Sequence, residues 1–169
     1  MFLIESYVPP SKLIVEHYAD GSVYEGEKQG NLRHGKGRFY YSDGGLYEGE
    51  WKNGSMEGFG TLYYAGGQIA YEGEWKEDKF NGRGAVYNEF AEELHEAFDY
   101  RNFQYLGDYW TKYEGGFVDD NKEGYGVLYL SNGDRFEGEF KDDNVHGPGA
   151  YIFANQQTIV GEWWNNRLV

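Results

Sequence analysis

The chain has 169 residues, with 29 acidic against 15 basic side chains, and its net charge of -14 argues against binding nucleic acid or adsorbing to anionic lipid. It holds no cysteine, which removes disulfides and thiolate metal sites and fits a cytoplasmic protein. Aromatic residues make up 20% of the chain and 26 residues are glycine, so this is not the composition of a disordered acidic segment; the core has to be built from rings, with glycine making room for them.

The first elements are short. Residues 1–12, with Pro9-Pro10, read as an irregular leader or cap. The apolar start Phe2-Leu3-Ile4 is too short for a signal peptide and has no basic residue before it. No stretch approaches the roughly 18 apolar residues of a membrane-spanning helix. Half a unit follows, from Leu13 to Asp20-Gly21. A fixed pattern then takes over: Tyr24-Glu25-Gly26-Glu27, Tyr47-Glu48-Gly49-Glu50 and Tyr71-Glu72-Gly73-Glu74, with looser copies at Tyr113, Phe136 and Ile159. The starts lie 23, 24, 42, 23 and 23 residues apart, which marks a repeat array over residues 13–164 and leaves 165–169 as a tail.

The second copy shows the physics of one unit. Tyr47, Gly49 and Trp51 alternate with Glu48, Glu50 and Lys52, giving a strand with one aromatic and one charged face. A turn at Asn53-Gly54 leads into a second strand, in which Gly58, Gly60, Leu62 and Tyr64 share a face. Turn dipeptides Asp20-Gly21, Asp43-Gly44, Gly66-Gly67 and Asn132-Gly133, and more weakly Asn155-Gln156, join one hairpin to the next. Connections this short force antiparallel pairing. Glycine at this density would cost about 1 kcal/mol per residue in a helix interior. The fold class expected is therefore all-β: an elongated, twisted, single-layer antiparallel sheet of tandem β-hairpins.

The spacing of 42 leaves extra residues between the third and fourth copies, an insert over 88–111. Phe90, Leu94 and Phe98 recur at helical spacing among Glu89, Glu92, Glu93 and Glu96, which predicts a short amphipathic helix over 89–98. The aromatic stretch from Asp99 to Trp110 is expected to be strand-like or to pack over the sheet. The insert is either the carrier of a specific function or a loop that only covers sheet surface.

Ten rings form the candidate partner-binding stripe: Tyr24, Tyr47, Trp51, Tyr71, Trp75, Tyr113, Phe117, Phe136, Phe140 and Trp163. A single layer has no second layer to bury them, so a face of rings is expected to stay partly open to a partner. Stacking as the sheet's own core is the alternative. The paired carboxylates, such as Glu48 with Glu50, recur identically, whereas a glycosidase needs one pair in unequal environments. His34 and His146 hold equivalent places, just before the first glycine of the second strand. Asp119-Asp120-Asn121 and Asp142-Asp143-Asn144 fall on turns and lack a twelve-residue calcium loop. No catalytic, metal or cofactor site is read from the sequence.

The unit Tyr-Glu-Gly-Glu-Trp-Lys, followed by Gly-x-Gly-x-Leu-x-Tyr and an Asp-Gly turn, resembles the MORN (membrane occupation and recognition nexus) repeat, most closely at Tyr47–Tyr64 and Tyr71–Tyr87. The resemblance covers Leu13 to Trp164 apart from the insert. Lys28 stands where Trp51 and Trp75 stand in their copies, Gly116 replaces the second Glu, and Ile159-Val160 replace Tyr-Glu. The resemblance implies a groove lined by the aromatic and glycine positions, and a non-enzymatic scaffold or adaptor in a cytoskeletal or ciliary assembly. The partner expected is a protein with basic and apolar segments. Open strand edges allow a homodimer. A peripheral membrane module for acidic phospholipids, or an accessory subunit of an enzyme, is the other reading.

Overall fold

The computed structural model describes residues 13–169, so the leader expected over 1–12 lies outside the described residues. Strands follow one another at the period of the repeat: β1 (Ile14–His17), β2 (Val23–Gln29), β3 (Leu32–Tyr40), β4 (Leu46–Lys52), β5 (Ser55–Tyr63), β6 (Ile69–Lys76) and β7 (Lys79–Tyr87). After the insert come β8 (Trp110–Val118), β9 (Asn121–Leu130), β10 (Arg135–Lys141), β11 (Asn144–Ile152), β12 (Thr158–Trp164) and β13 (Arg167–Leu168). Each pairs antiparallel with the strand before and after it, in one open sheet of 13 strands. The residues read as a tail thus supply the last strand.

Two kinds of turn alternate. Within the hairpins after β3, both central residues adopt positive φ, as at Glu77 (48°) and Asp78 (67°) or Asp142 (48°) and Asp143 (71°), the geometry that matches strand twist. The second turn residue also staples neighbouring copies. The carboxylate of Asp78 accepts the Met56 N–H at 2.8 Å, Asp120 accepts that of Phe80 at 2.9 Å, and Asp143 accepts that of Lys122 at 2.8 Å. The acidic turn pairs therefore hold repeat to repeat. Between hairpins the Asp-Gly signals close three-residue loops rather than two-residue ones. The Gly44 N–H bonds to the Tyr41 carbonyl, the Asp43 side chain accepts the Gly45 N–H, and Gly44 turns back at φ 100°.

Register places a glycine opposite a glycine from β2 to β12. Gly26, Gly37, Gly49, Gly60, Gly73, Gly84, Gly115, Gly126, Gly138, Gly149 and Gly161 are neighbours in one unbroken row. The leading aromatic of each full copy folds over this row. A Cβ at Gly60 would stand 2.6 Å from the Cζ of Tyr47, so only glycine lets the ring lie against the backbone. The hydroxyl then reaches the carbonyl three residues on: Tyr47 donates to Glu50 at 2.8 Å, Tyr71 to Glu74 at 2.7 Å and Tyr113 to Gly116 at 2.9 Å.

The insert does not form the helix expected over 89–98. Its backbone donors are taken by distant acceptors: the Glu92 N–H bonds to the Asp108 carbonyl at 2.8 Å, and that of Leu94 to the Ser131 hydroxyl at 3.2 Å. Phe90 is exposed while Phe98 is buried, so the helical stripe never forms. The only helical turn among the described residues is a 3-10 turn, Phe103–Tyr105. The insert instead lies over the ring face of the C-terminal repeats and caps their edge. The Phe103 N–H bonds to the Asn166 carbonyl, the Leu168 N–H bonds to the Arg101 carbonyl, and Asn102 bridges to Arg167 in β13. The sheet is a single layer over its first half and gains a partial second layer over its last.

Candidate partner-binding face

All ten rings of the expected stripe are buried. Tyr24, Tyr47, Tyr71, Tyr113 and Phe136 are 0% exposed, and Trp51, Trp75, Phe117, Phe140 and Trp163 at most 5%. The expectation that these rings lie open to a partner is therefore corrected: they form the core. They achieve this without a second sheet by filling one another's gaps. From Trp51 to Phe140, each aromatic at the fifth position of a copy stands edge-on between the leading rings of its own and the preceding copy. Trp51 meets Tyr24 at 5.4 Å and Tyr47 at 5.2 Å; Trp75 meets Tyr47 and Tyr71, both at 5.1 Å. The chain of contacts continues through Phe117, Tyr113, Phe140 and Phe136 to Trp163 without a break. Edge-to-face pairs of this kind contribute about 0.5–1.5 kcal/mol each beyond area burial.

A further residue plugs each gap from the next strand, at the position paired with the fifth one: Arg33, Met56, Phe80, Lys122 and Val145. Phe80 stacks on Tyr71 at 3.8 Å. The Arg33 guanidinium lies over Tyr24, Phe39 and Trp51, at 5.4, 4.7 and 5.2 Å. Lys122 lies over Tyr113 at 5.5 Å, and burial pushes its pKa down. Val145 is too short, and Phe103 of the insert completes the plug, meeting Phe136 at 5.2 Å, Tyr151 at 6.2 Å and Trp163 at 6.3 Å. In the first copy Lys28, in place of the aromatic, pairs with Glu16. Burial raises the pKa of the core tyrosines: Tyr24 is pushed up to about 12, and Tyr47, Tyr71 and Tyr113 higher still.

What remains available on this face is the row beyond the leading tyrosines. The second strands contribute Phe39, Leu62, Val86, Leu128 and Tyr151 at one equivalent position. Leu128 is 2% exposed; Tyr151 is 0% exposed, lies against Phe98, Tyr100 and Phe103 of the insert, and bonds Asp134 through its hydroxyl. Phe39, Leu62 and Val86 are only partly buried, as are their outer neighbours Tyr41 and Tyr64. The signal for this row was present in the shared face of Gly58, Gly60, Leu62 and Tyr64. What the sequence withheld was which copies the insert would cover.

The opposite face carries an acidic row, Glu25, Glu48, Glu72, Glu114 and Glu137, on alternate strands. Three of these faces' basic residues pair locally: Arg38 with Glu48 at 3.0 Å, Lys112 with Glu114 at 3.0 Å and Arg135 with Glu137 at 2.8 Å. The second Glu of each pair serves the backbone instead. The Glu27 carboxylate accepts the Lys36 N–H at 2.7 Å, Glu50 that of Phe59 and Glu74 that of Arg83, both at 2.5 Å, fixing bulges at the left-handed Gly35, Gly58 and Gly82. Gly116 breaks the pattern because a Cβ there would collide with the Glu123 carbonyl. In the fifth copy the matching acceptor is not needed, since Pro148 has no N–H.

Among the described residues no group of acidic and histidine side chains is arranged to hold a metal ion. Comparison with curated proteins gives no match. The MORN repeat model matches residues 24–46, 47–69, 71–85, 113–135 and 136–158. Repeats of this kind generally bind proteins or membrane lipids and are typically non-catalytic. The ring-over-glycine unit, the repeat-to-repeat turns and this coverage agree: the chain belongs to the MORN repeat family.

Proposed function

We propose that the protein is a non-catalytic scaffold or adaptor that holds a protein partner on the uncovered half of its ring face, around Phe39, Tyr41, Leu62, Tyr64 and Val86. The observation that carries this reading is the contrast at one repeat position: Tyr151 is 0% exposed against Phe98, Tyr100 and Phe103 of the insert, while Leu62 stays partly open. An apolar strip left uncovered on a chain of net charge -14 favours a partner that brings apolar side chains with basic neighbours. The same charge disfavours acidic phospholipid as the ligand. The setting proposed, from the family, is a cytoplasmic cytoskeletal or ciliary assembly.

Photo-crosslinking separates the two halves. With a benzophenone side chain in place of Leu62, the protein is expected to form one discrete adduct in native extract. The same probe in place of Thr61, which points to the other face, is expected to form none. Equal yields from the two positions, or an adduct to lipid alone, would sink the reading.

A further inference from the structure

The first and the last full copies present the same pair of rings, and the chain itself fills one of them. In the last, Tyr151 and Phe153 meet edge-to-face at 5.1 Å, and Tyr100 of the insert lies against both, at 5.5 and 5.9 Å. The equivalent residues of the first copy are Phe39 and Tyr41, which meet edge-to-face at 4.9 Å. The copies between carry Leu62 and Tyr64, Val86 and Asn88, and Leu128 and Leu130, so they do not repeat the pair.

The inner part of each seat is already occupied. Arg33 covers Tyr24, Phe39 and Trp51 in the first copy, as Phe103 covers their counterparts Phe136, Tyr151 and Trp163 in the last. In the first copy Tyr18 stacks on Phe39 at 6.0 Å, and the outer part beside Tyr41, where Tyr100 sits in the last copy, stays partly exposed. It opens onto a groove of about 440 Å³ between Tyr41, Leu62 and Tyr64, with Asp43 and Glu89 among its lining residues. That volume admits an aromatic side chain, and the two carboxylates favour a cation next to it. The insert supplies the ring from a turn: the Asn102 N–H bonds to the Asp99 carbonyl at 3.0 Å, Arg101 beside Tyr100 pairs with Asp99 at 2.7 Å, and the Tyr100 carbonyl accepts the Trp163 indole N–H at 2.8 Å.

We propose that the Phe39–Tyr41 seat takes an aromatic side chain presented on a turn of a partner protein, with a Lys or Arg beside it facing Asp43 and Glu89. This rests on the reading of the uncovered half-face as the partner surface and names the chemistry that the surface selects.

The probe is a synthetic peptide of residues 96–106, titrated into the full chain while the methyl signals of Leu62, Ala65 and Leu128 are followed by NMR. Expected are shifts at Leu62 and Ala65 with Leu128 unmoved, and at least a tenfold loss of affinity for the peptide carrying Tyr100→Ala. Tyr41→Ala in the protein removes half of the dyad and is expected to lose as much. Ala65→Arg, at an exposed rim position, blocks the groove without touching the dyad and serves if Tyr41→Ala fails to fold. No binding, binding indifferent to Tyr100→Ala, or shifts confined to Leu128 would overturn the proposal. So would light scattering that shows a stable dimer with the seat filled by a second copy's insert. A peptide that fails while the Leu62 crosslink still captures a protein overturns the seat alone and leaves the wider reading standing.

Discussion

A missing Cβ and a phenol hydroxyl set the geometry of each copy. Gly60 gives Tyr47 its place against the sheet, and the Tyr47 hydroxyl ties that ring to the Glu50 carbonyl. Gly60→Ala should therefore destabilise the fold by about 1–3 kcal/mol, as overpacking does, measured by urea unfolding at neutral pH. A wild-type midpoint in the variant would contradict the packing described. The same burial makes the protein sensitive to alkali. Tyr24, Tyr47, Tyr71 and Tyr113 have folded pKa values above their ordinary 10.0, so the folded state holds their protons more tightly than the unfolded chain does. Their contribution is complete below pH 10 and is lost as pH rises through the folded values, beginning with Tyr24 at about 12. Phenolate absorbance at 295 nm should show these rings ionising only with unfolding, in one cooperative step; early ionisation alongside the exposed tyrosines would contradict their burial. The ten ring positions were legible in the sequence because they recur with the repeat. Their burial was not, because it depends on a ring from the next copy: Trp51 fills the space between Tyr24 and Tyr47, a contact that no single unit contains.

The hairpins were legible as elements for a local reason. Asn-Gly and Asp-Gly turns, and alternation around Gly-x-Gly, specify strand, face and register within a few residues. The insert was not, because its structure is decided by what it lies on. Phe98 and Phe103 are drawn to Tyr151, and the Glu92 and Leu94 N–H groups find acceptors across the loop, so helical spacing in the sequence loses to tertiary contacts. The insert and β13 depend on each other through Asn102, Arg101 and Phe103. In an array whose copies touch only their neighbours, damage there should stay local. Phe103→Ala is expected to speed amide hydrogen exchange across 94–106 and β12–β13 by at least tenfold while β2–β5 keep their protection. Uniform loss of protection would show that the array unfolds as one unit and that the insert is part of its global core.

At the scale of the whole molecule the array is asymmetric. The C-terminal edge and the ring face beside it are closed by the insert, whereas β1 at the other end pairs only with β2 among the described strands. The chain thus keeps one half of an apolar face for its own segment and leaves the equivalent half in water, against a net charge of -14 that favours basic partners. The proposed partner surface rests on this asymmetry. The most direct measurement is hydroxyl-radical footprinting of the free protein, read residue by residue at equivalent repeat positions. Phe39 and Leu62 should label readily while Tyr151 and Leu128 stay protected. Equal labelling of the four, or protection of Phe39 and Leu62 in the free protein, would contradict the account.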